Sequence, residues 1–265
     1  FMPGRFARRR QVSQPGFLGP APRGASLHLM GPSPFSAAMA RRIYFITGTD
    51  TGVGKTVFAA LLTRALRERG DRVAALKPIC SGGRGDARRL REAMGKGLSL
   101  DEVNPWHFRA PLSPLLAARL EHRRVTRAQV VAHTRATAGQ FEWVVVEGAG
   151  GLLSPMGEGF DSRDLIVALR AIPIVVCPNR LGAVNQILLV LTALPKSIAN
   201  LAQIILMNPP RPNVASRTNL ELMAECLSEA RVHTLDWLGK NPSSALLGRR
   251  PSVRRALNGV VRSCL

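Results

Sequence analysis

A ten-residue stretch, TGTDTGVGKT at residues 47–56, restricts this chain to few architectures. The apolar run Ile43, Tyr44, Phe45, Ile46 precedes it, and the helix-forming run Val57, Phe58, Ala59, Ala60, Leu61, Leu62 follows. Strand, glycine-containing turn and helix in that order make a phosphate-binding loop (P-loop). Backbone N–H groups of such a loop, with the positive end of the next helix, surround a polyphosphate. Gly52, Val53, Gly54, Lys55, Thr56 and Val57 are the candidate nucleotide contacts. Lys55 is placed to reach the β- and γ-phosphates of ATP, and the Thr56 hydroxyl to ligate Mg²⁺. The usual pattern has Gly five residues before Gly54; here Thr49 stands there and Gly48 is one residue earlier. An ordinary glycine-rich strand-to-helix turn is the bland alternative.

Beyond this loop the pattern keeps alternating. Apolar strands are expected over residues 43–47, 73–77, 141–147, 174–177, 204–207 and 232–235. Helices are expected over 55–69, 87–95, 114–122, 126–138, 161–170, 183–194 and 217–230, with Asp86 as one N-cap and Thr126 as another. Strands apolar along their whole length are buried on both faces, as in a parallel sheet. The fold class is therefore α/β: a P-loop NTPase-type domain, mostly parallel central sheet, helices on both faces, single domain with disordered tails.

The tails are where composition matters. The chain has 265 residues and a net charge of +20, which by itself points to nucleic acid. Residues 1–42 carry seven Arg and no acid, and residues 243–265 five Arg and no acid. The intervening body has 25 Lys and Arg against 17 acids, a net of +8, so the charge belongs mostly to the ends. Residues 1–38 read as a disordered basic extension upstream of Met39, or as a mitochondrial-type targeting segment. Residues 39–242 are the enzyme-like domain, and 243–265 a disordered basic tail. The four cysteines (Cys80, Cys177, Cys226, Cys264) form no CxxC pair, and the five histidines show no metal-ligand spacing. A reducing compartment follows: cytoplasmic, or mitochondrial if the first segment targets. No apolar run is long enough to span a bilayer, so no membrane partner is expected.

In such folds ligands bind beyond the C-terminal ends of the strands. The second strand ends at Lys77, with Ser81 and Asp86 in its loop; the third ends at Glu147, Gly148, Ala149, Gly150 and Gly151. The fourth leads to residues Asn179 to Asn185, Gly182 among them, and the fifth to Asn208 and Pro209. Thr56, Asp86 and Glu147 supply the hard oxygens that Mg²⁺ prefers. Lys77 adds a second cation where charge develops in phosphoryl transfer. Asp86 could instead be only a helix cap, and Lys77 a solvated strand-end lysine. Glu147 ends a run of three valines, where an unpaired carboxylate is costly.

Residues 40 to about 242 resemble dethiobiotin synthetases. The resemblance is carried by residues 48–56, Lys77-Pro78 with Ser81-Gly82, Asp86-Ala87, Asn104-Pro105, residues 147–151, Leu181-Gly182 with Asn185, and Asn208. It implies an ATP- and Mg-dependent closure of 7,8-diaminopelargonate with CO₂ to dethiobiotin, through a carbamate and its phosphorylated form. Lys55 and Lys77 would then be catalytic, and Thr56, Asp86 and Glu147 would hold the metal. Thr51, Ser81, Gly151, Gly182 and Asn185 would contact substrate, and Asn208 the adenine edge. The family also implies a homodimer, with Gly182 and Asn185 meeting the substrate carboxylate from the partner subunit. Arg180 stands where the family often has Lys, Asp236 where it has Pro, and Lys240 where it often has an acid, leaving the nucleobase open between ATP and other triphosphates.

Three alternatives remain. The synthetase domain of a cobyrinate amidotransferase would need a glutaminase domain, for which the chain has no room. A deviant-Walker partitioning or positioning ATPase would place a second Lys five residues before Lys55, where Asp50 stands. A nucleic-acid binder would rest on the tails, and its affinity would leave with them.

Overall fold

The computed structural model describes residues 42–95, 97–227, 231–239 and 250–262. The expectations for residues 1–38, for 243–249 and for Lys240 lie outside the described residues. In chain order the strands are β1 (Arg42–Gly48), β2 (Val73–Leu76), β3 (Ile79–Ser81), β4 (Trp106–Phe108), β5 (Trp143–Glu147), β6 (Ile172–Pro178), β7 (Gln203–Met207) and β8 (Val232–Leu235). The helices are α1 (Lys55–Glu68), α2 (Gly85–Met94), α3 (Leu100–Val103), α4 (Pro114–Leu120), α5 (Arg127–Ala138), α6 (Ser162–Leu169), α7 (Ala183–Ala193), α8 (Lys196–Ala199), α9 (Val214–Cys226) and α10 (Pro251–Arg262).

Six strands form one parallel sheet in the order β2-β5-β1-β6-β7-β8. On β1, Ile43 pairs with Val144 of β5 and Ile46 with Ile174 of β6, which puts the strand leading to the P-loop inside the sheet. The continuous apolar strands are explained by burial on both faces. Successive side chains of a strand point to opposite faces. On β6, Ile174 and Val176 join the main core with Phe45, Leu61 and Leu257, whereas Val175 and Cys177 join a second core with Ile187 of α7 and Met223 of α9. The β7 residues divide the same way, Ile205 against Ile204 and Leu206.

A second, two-stranded parallel pair, β3 with β4, forms between residues 73–77 and 114–122, where no further strand is expected from the sequence. Three residues per strand carry too little periodicity to be read. Asn104 holds the pair in place: its buried amide donates to the Lys77 carbonyl (2.6 Å), and its oxygen accepts from Arg84 Nε and Cys80 Sγ (3.1 Å each).

Three expectations are corrected. Residues 243–265 were expected to be disordered, yet Pro251–Arg262 is a helix whose Val253, Ala256, Leu257, Val260 and Val261 are buried in the main core. Their spacing of three and four is an amphipathic face that the basic composition outweighed in the sequence reading. Asp86 is not the cap of α2; Arg84 holds that position without a side-chain cap, and Asp86 lies in the first turn. The ninth helix spans residues 214–226 rather than 217–230, because Asn213 and Ser216 close a capping box ahead of the expected start. The Thr126 cap is present, with Gln129 completing its box.

Candidate active site

The P-loop positions its ligands through backbone geometry. Gly54 has φ 101° and precedes α1, whose first turn has no acidic side chain and no side-chain cap. The first N–H groups of α1 are thus left for an anion. A Cβ at Gly54 would come within 2.8 Å of the Met207 methyl, so the end of β7 lies directly against the loop.

Two lysines and two carboxylates meet beside it. Lys55 Nζ donates to the Asp50 carbonyl (2.6 Å), and Thr56 Oγ1 to Glu147 Oε1 (2.7 Å). Lys77 Nζ donates to the same Glu147 oxygen (2.7 Å) and to the Gly148 carbonyl (3.0 Å), and lies 3.1 Å from Asp86 Oδ2. Lys77 and Glu147 are both buried. Burial, and then the Lys77 charge, bring the Lys55 ammonium down to about 8. Burial also pulls on Lys77, but Glu147 and Asp86 outweigh it and hold its ammonium above the usual lysine range. Burial pushes the Glu147 carboxyl up against the opposing pull of Lys77, while at Asp86 Lys77 prevails and holds the carboxyl down.

The second Glu147 oxygen, Oε2, is buried and has no hydrogen-bond partner among the described residues. A hard cation would satisfy it, and Thr56 and Asp86 supply the neighbouring oxygens that Mg²⁺ takes. No cluster of three or more His, Cys, Asp or Glu exists among the described residues, so a site with two carboxylates, one hydroxyl and phosphate oxygens is the arrangement available. The residues fit the metal.

These groups line a cleft of about 730 Å³. Of the sequence-predicted residues, Thr51, Gly52, Gly54, Lys55, Thr56 and Val57 line it from the loop. Lys77, Ser81, Asp86, Glu147, Ala149 and Gly150 line it from the other strand ends. Val53 is buried beneath the loop, and Gly148 and Gly151 are turned inward, the Gly151 amide donating to Ser154 Oγ (2.8 Å). Gly182 and Asn185 are exposed at the start of α7, outside the cleft. Asn208 and Pro209 are also outside it, at the end of β7. Sequence reasoning missed Arg89, Ser154 and the wall of Pro111, Leu112 and Ser113, whose Leu112 carbonyl accepts from Ser81 Oγ (2.6 Å). Arg89 lies one turn after Asp86, and that spacing was the only available signal for it.

Beyond Met207 the strand ends carry amides. Asn179 Nδ2 donates to Asn208 Oδ1 (2.7 Å) and to the Ser216 carbonyl (2.8 Å). Asn219 Nδ2 donates to Asn179 Oδ1 (2.8 Å), and Asn208 Nδ2 to Asp236 Oδ1 (3.1 Å). This chain crosses the ends of β6, β7 and β8.

A family model described as an AAA domain matches residues 42–248. Curated proteins named ATP-dependent dethiobiotin synthetase BioD are similar in sequence. The one from Anaeromyxobacter dehalogenans is 45% identical over 61% of this chain and 74% of its own length. That of Akkermansia muciniphila is 42% identical over 58% and 72%. The Escherichia coli protein named BioD 1 is 31% identical over 78% and 95%. Among solved structures, pNOB8 ParA bound to nonspecific DNA aligns at a TM-score of 0.52, covering 84% of this chain and 98% of its own, at 12% identity. That likeness concerns the fold alone. The ordered motifs, the cleft they form and these sequence relatives lead to one assignment: the chain belongs to the dethiobiotin synthetase family, built on an AAA-type P-loop domain.

Proposed function

We propose that this chain catalyses the ATP-dependent closure of 7,8-diaminopelargonate with CO₂ to dethiobiotin, and that its cleft residues divide the work as follows. One substrate amine adds to CO₂, loses a proton and becomes a carbamate. A carbamate oxygen attacks the γ-phosphorus of ATP, and ADP leaves. The second amine attacks the carbonyl carbon, the C–O bond to phosphate breaks, and the ring closes with loss of a proton and phosphate. A carbamate reverts to amine and CO₂ unless it is held, and fixed cations in a water-poor cleft hold it. Lys77, already oriented by Glu147 and Asp86, provides one. Lys55 provides the other, exchanging the Asp50 carbonyl for phosphate oxygens. Thr51 and Ser81, which line the cleft, would contact the substrate near its reacting amine, with Gly151 behind them. Thr56, Asp86 and Glu147 would hold Mg²⁺, which when bound neutralises the charge spread over the β- and γ-phosphate oxygens. The convergence of Lys55, Lys77, Thr56, Asp86 and Glu147 on one cleft carries the reading.

The finer roles extend outside the cleft. Asn208 and Pro209 would meet the base. Gly182 and Asn185, exposed at an α7 N-terminus, would take the substrate carboxylate of a partner subunit in a homodimer. Exposed Leu181 and Leu189 beside them suit such an interface. The described free thiols, Cys80, Cys177 and Cys226, suit a reducing cytoplasm. Among the described residues no helix is long and apolar enough to cross a membrane. The partitioning-ATPase alternative has only the shared fold in its support.

The test is phosphate release by the purified chain with Mg·ATP, adding diaminopelargonate and bicarbonate separately and together. Release that needs both, with dethiobiotin formed, is expected. Hydrolysis indifferent to both would overturn the reading.

A further inference from the structure

Next to Asn208, the residue proposed to meet the base, stands a group that the reaction does not require. Asp236 follows β8 directly, and its Oδ1 accepts from Asn208 Nδ2 at 3.1 Å. The Asn208 backbone N–H donates to the Leu235 carbonyl (2.8 Å), so Asn208 and Asp236 are fixed side by side across adjacent strand ends. Leu235 before Asp236 and Leu238 after it are both buried in the main core, which pins the turn. Asp236 itself is exposed, and its Oδ2 has no partner among the described residues.

Donor and acceptor counts show what this corner can read. Asn208 has spent one N–H on Asp236 and one lone pair on Asn179. One N–H and one lone pair remain. Those two suffice for adenine, whose N7 accepts and whose N6 donates. They leave the second edge of guanine unread: N1–H and N2–H₂ are adjacent donors and need an acceptor with two sites. A carboxylate is that acceptor, since its two oxygens take parallel N–H groups. Guanine O6 and N7 would then face the remaining Asn208 N–H. Uracil offers a single N–H between two carbonyls, which a carboxylate repels.

We infer that Asp236, set beside Asn208, makes the nucleobase corner accept guanine as well as adenine, so that GTP serves alongside ATP as phosphoryl donor. This rests on the proposed function and on the role proposed for Asn208 at the base. Met207, in contact range of the P-loop and one residue before Asn208, supplies the physical link between the phosphate end and this corner.

The experiment compares initial rates of the full chain with Mg·ATP, Mg·GTP and Mg·UTP, with diaminopelargonate and bicarbonate saturating. The wild type is expected to use GTP with a kcat/KM within about tenfold of ATP, and UTP at least about tenfold worse than either. Asp236→Asn presents an acceptor and a donor instead of two acceptors. It is expected to lower the GTP/ATP ratio by about tenfold or more and to raise use of XTP, whose C2 carbonyl accepts from the new amide. A merely structural role for Asp236 would not move preference from GTP to XTP. Competition of GTP and ATP against a fluorescent triphosphate analogue reads the same preference without turnover. If no triphosphate supports ring closure, the reaction assignment fails while the binding ratio still decides this inference. A wild-type GTP preference more than about tenfold below ATP, or an unchanged ratio in Asp236→Asn, would overturn it.

Discussion

The two halves of the sheet's C-terminal edge are built from opposite materials. Beyond β1, β2 and β5 stand the charged residues Lys55, Lys77, Asp86 and Glu147, all but Asp86 buried; Lys77 meets Glu147 at 2.7 Å and Asp86 at 3.1 Å, and Lys55 donates to the Asp50 carbonyl at 2.6 Å. Beyond β6, β7 and β8 stand Asn179, Asn208 and Asn219, neutral amides linked by hydrogen bonds of 2.7 and 2.8 Å. Charges out of water polarise a reacting phosphoryl group strongly, at a desolvation cost that only mutual pairing offsets. Amides cost less to bury and present a donor and an acceptor at defined angles. The first half is suited to changing charge, the second to reading shape and edge chemistry.

The comparison predicts that damage to the charged half is largest in rate. Lys55→Ala or Lys77→Ala should lower kcat/KM for ring closure by about 10²–10⁴. Wild-type turnover in either variant would remove the assignment. Stability should separate the two lysines. Lys77→Met leaves Glu147 buried without its cation, a loss of about 3–5 kcal/mol in denaturant unfolding. Adding Glu147→Gln should recover most of that stability and none of the activity. If the double variant is no more stable than the single one, Lys77 does not serve to balance Glu147.

Most of the charged half was legible because it follows from chain order. A strand that ends in Lys77-Pro78, or in Glu147 followed by three glycines within four residues, places its last polar residue at the ligand edge whatever the neighbours are. The amide half was legible at Asn208 and, as the residue after the fourth strand, at Asn179. Asn219, which bonds Asn179 from 40 residues away, has nothing local to distinguish it from a solvated amide. Asn104 was read only as part of a motif, since its partners Lys77, Cys80 and Arg84 lie 20 or more residues away, and Ser154 was missed although its partner, the Gly151 N–H, is only three residues back. The last helix was missed differently: its apolar spacing was present, but an acid-free, arginine-rich end reads as a tail. Composition there described the exposed face only.

The amide half should therefore fail through structure rather than through rate. Asn219→Ala removes a donor from the buried Asn179 oxygen and from the Arg180 carbonyl, which it meets at 2.8 and 3.0 Å. A loss of about 1–3 kcal/mol in denaturant unfolding is expected, with KM for the nucleotide rising more than kcat falls. A selective fall in kcat would mean that the amides act on the chemical step, and the contrast between the halves would break.

The smallest effect lies where the amide half meets the last helix. His233 of β8 has its Nε2 3.0 Å from Gln203 Oε1, and α10 covers its ring. A Cβ at Gly259 would approach two ring atoms to 2.7 Å, which explains a glycine within a helix where alanine would otherwise be favoured by about 1 kcal/mol. Burial holds the His233 imidazole below its ordinary 6.5. The unfolded chain then binds a proton more readily than the folded one. Stability from this group is complete above about pH 6.5 and is lost as pH falls below it, no more steeply than about 1.4 kcal/mol per pH unit. Denaturant unfolding between pH 7.5 and 5 should show this loss in the wild type and a flatter profile in His233→Gln, whose amide can still reach Gln203. Parallel profiles would mean that the imidazole titrates freely in the folded chain, and that α10 does not seal the edge strand β8.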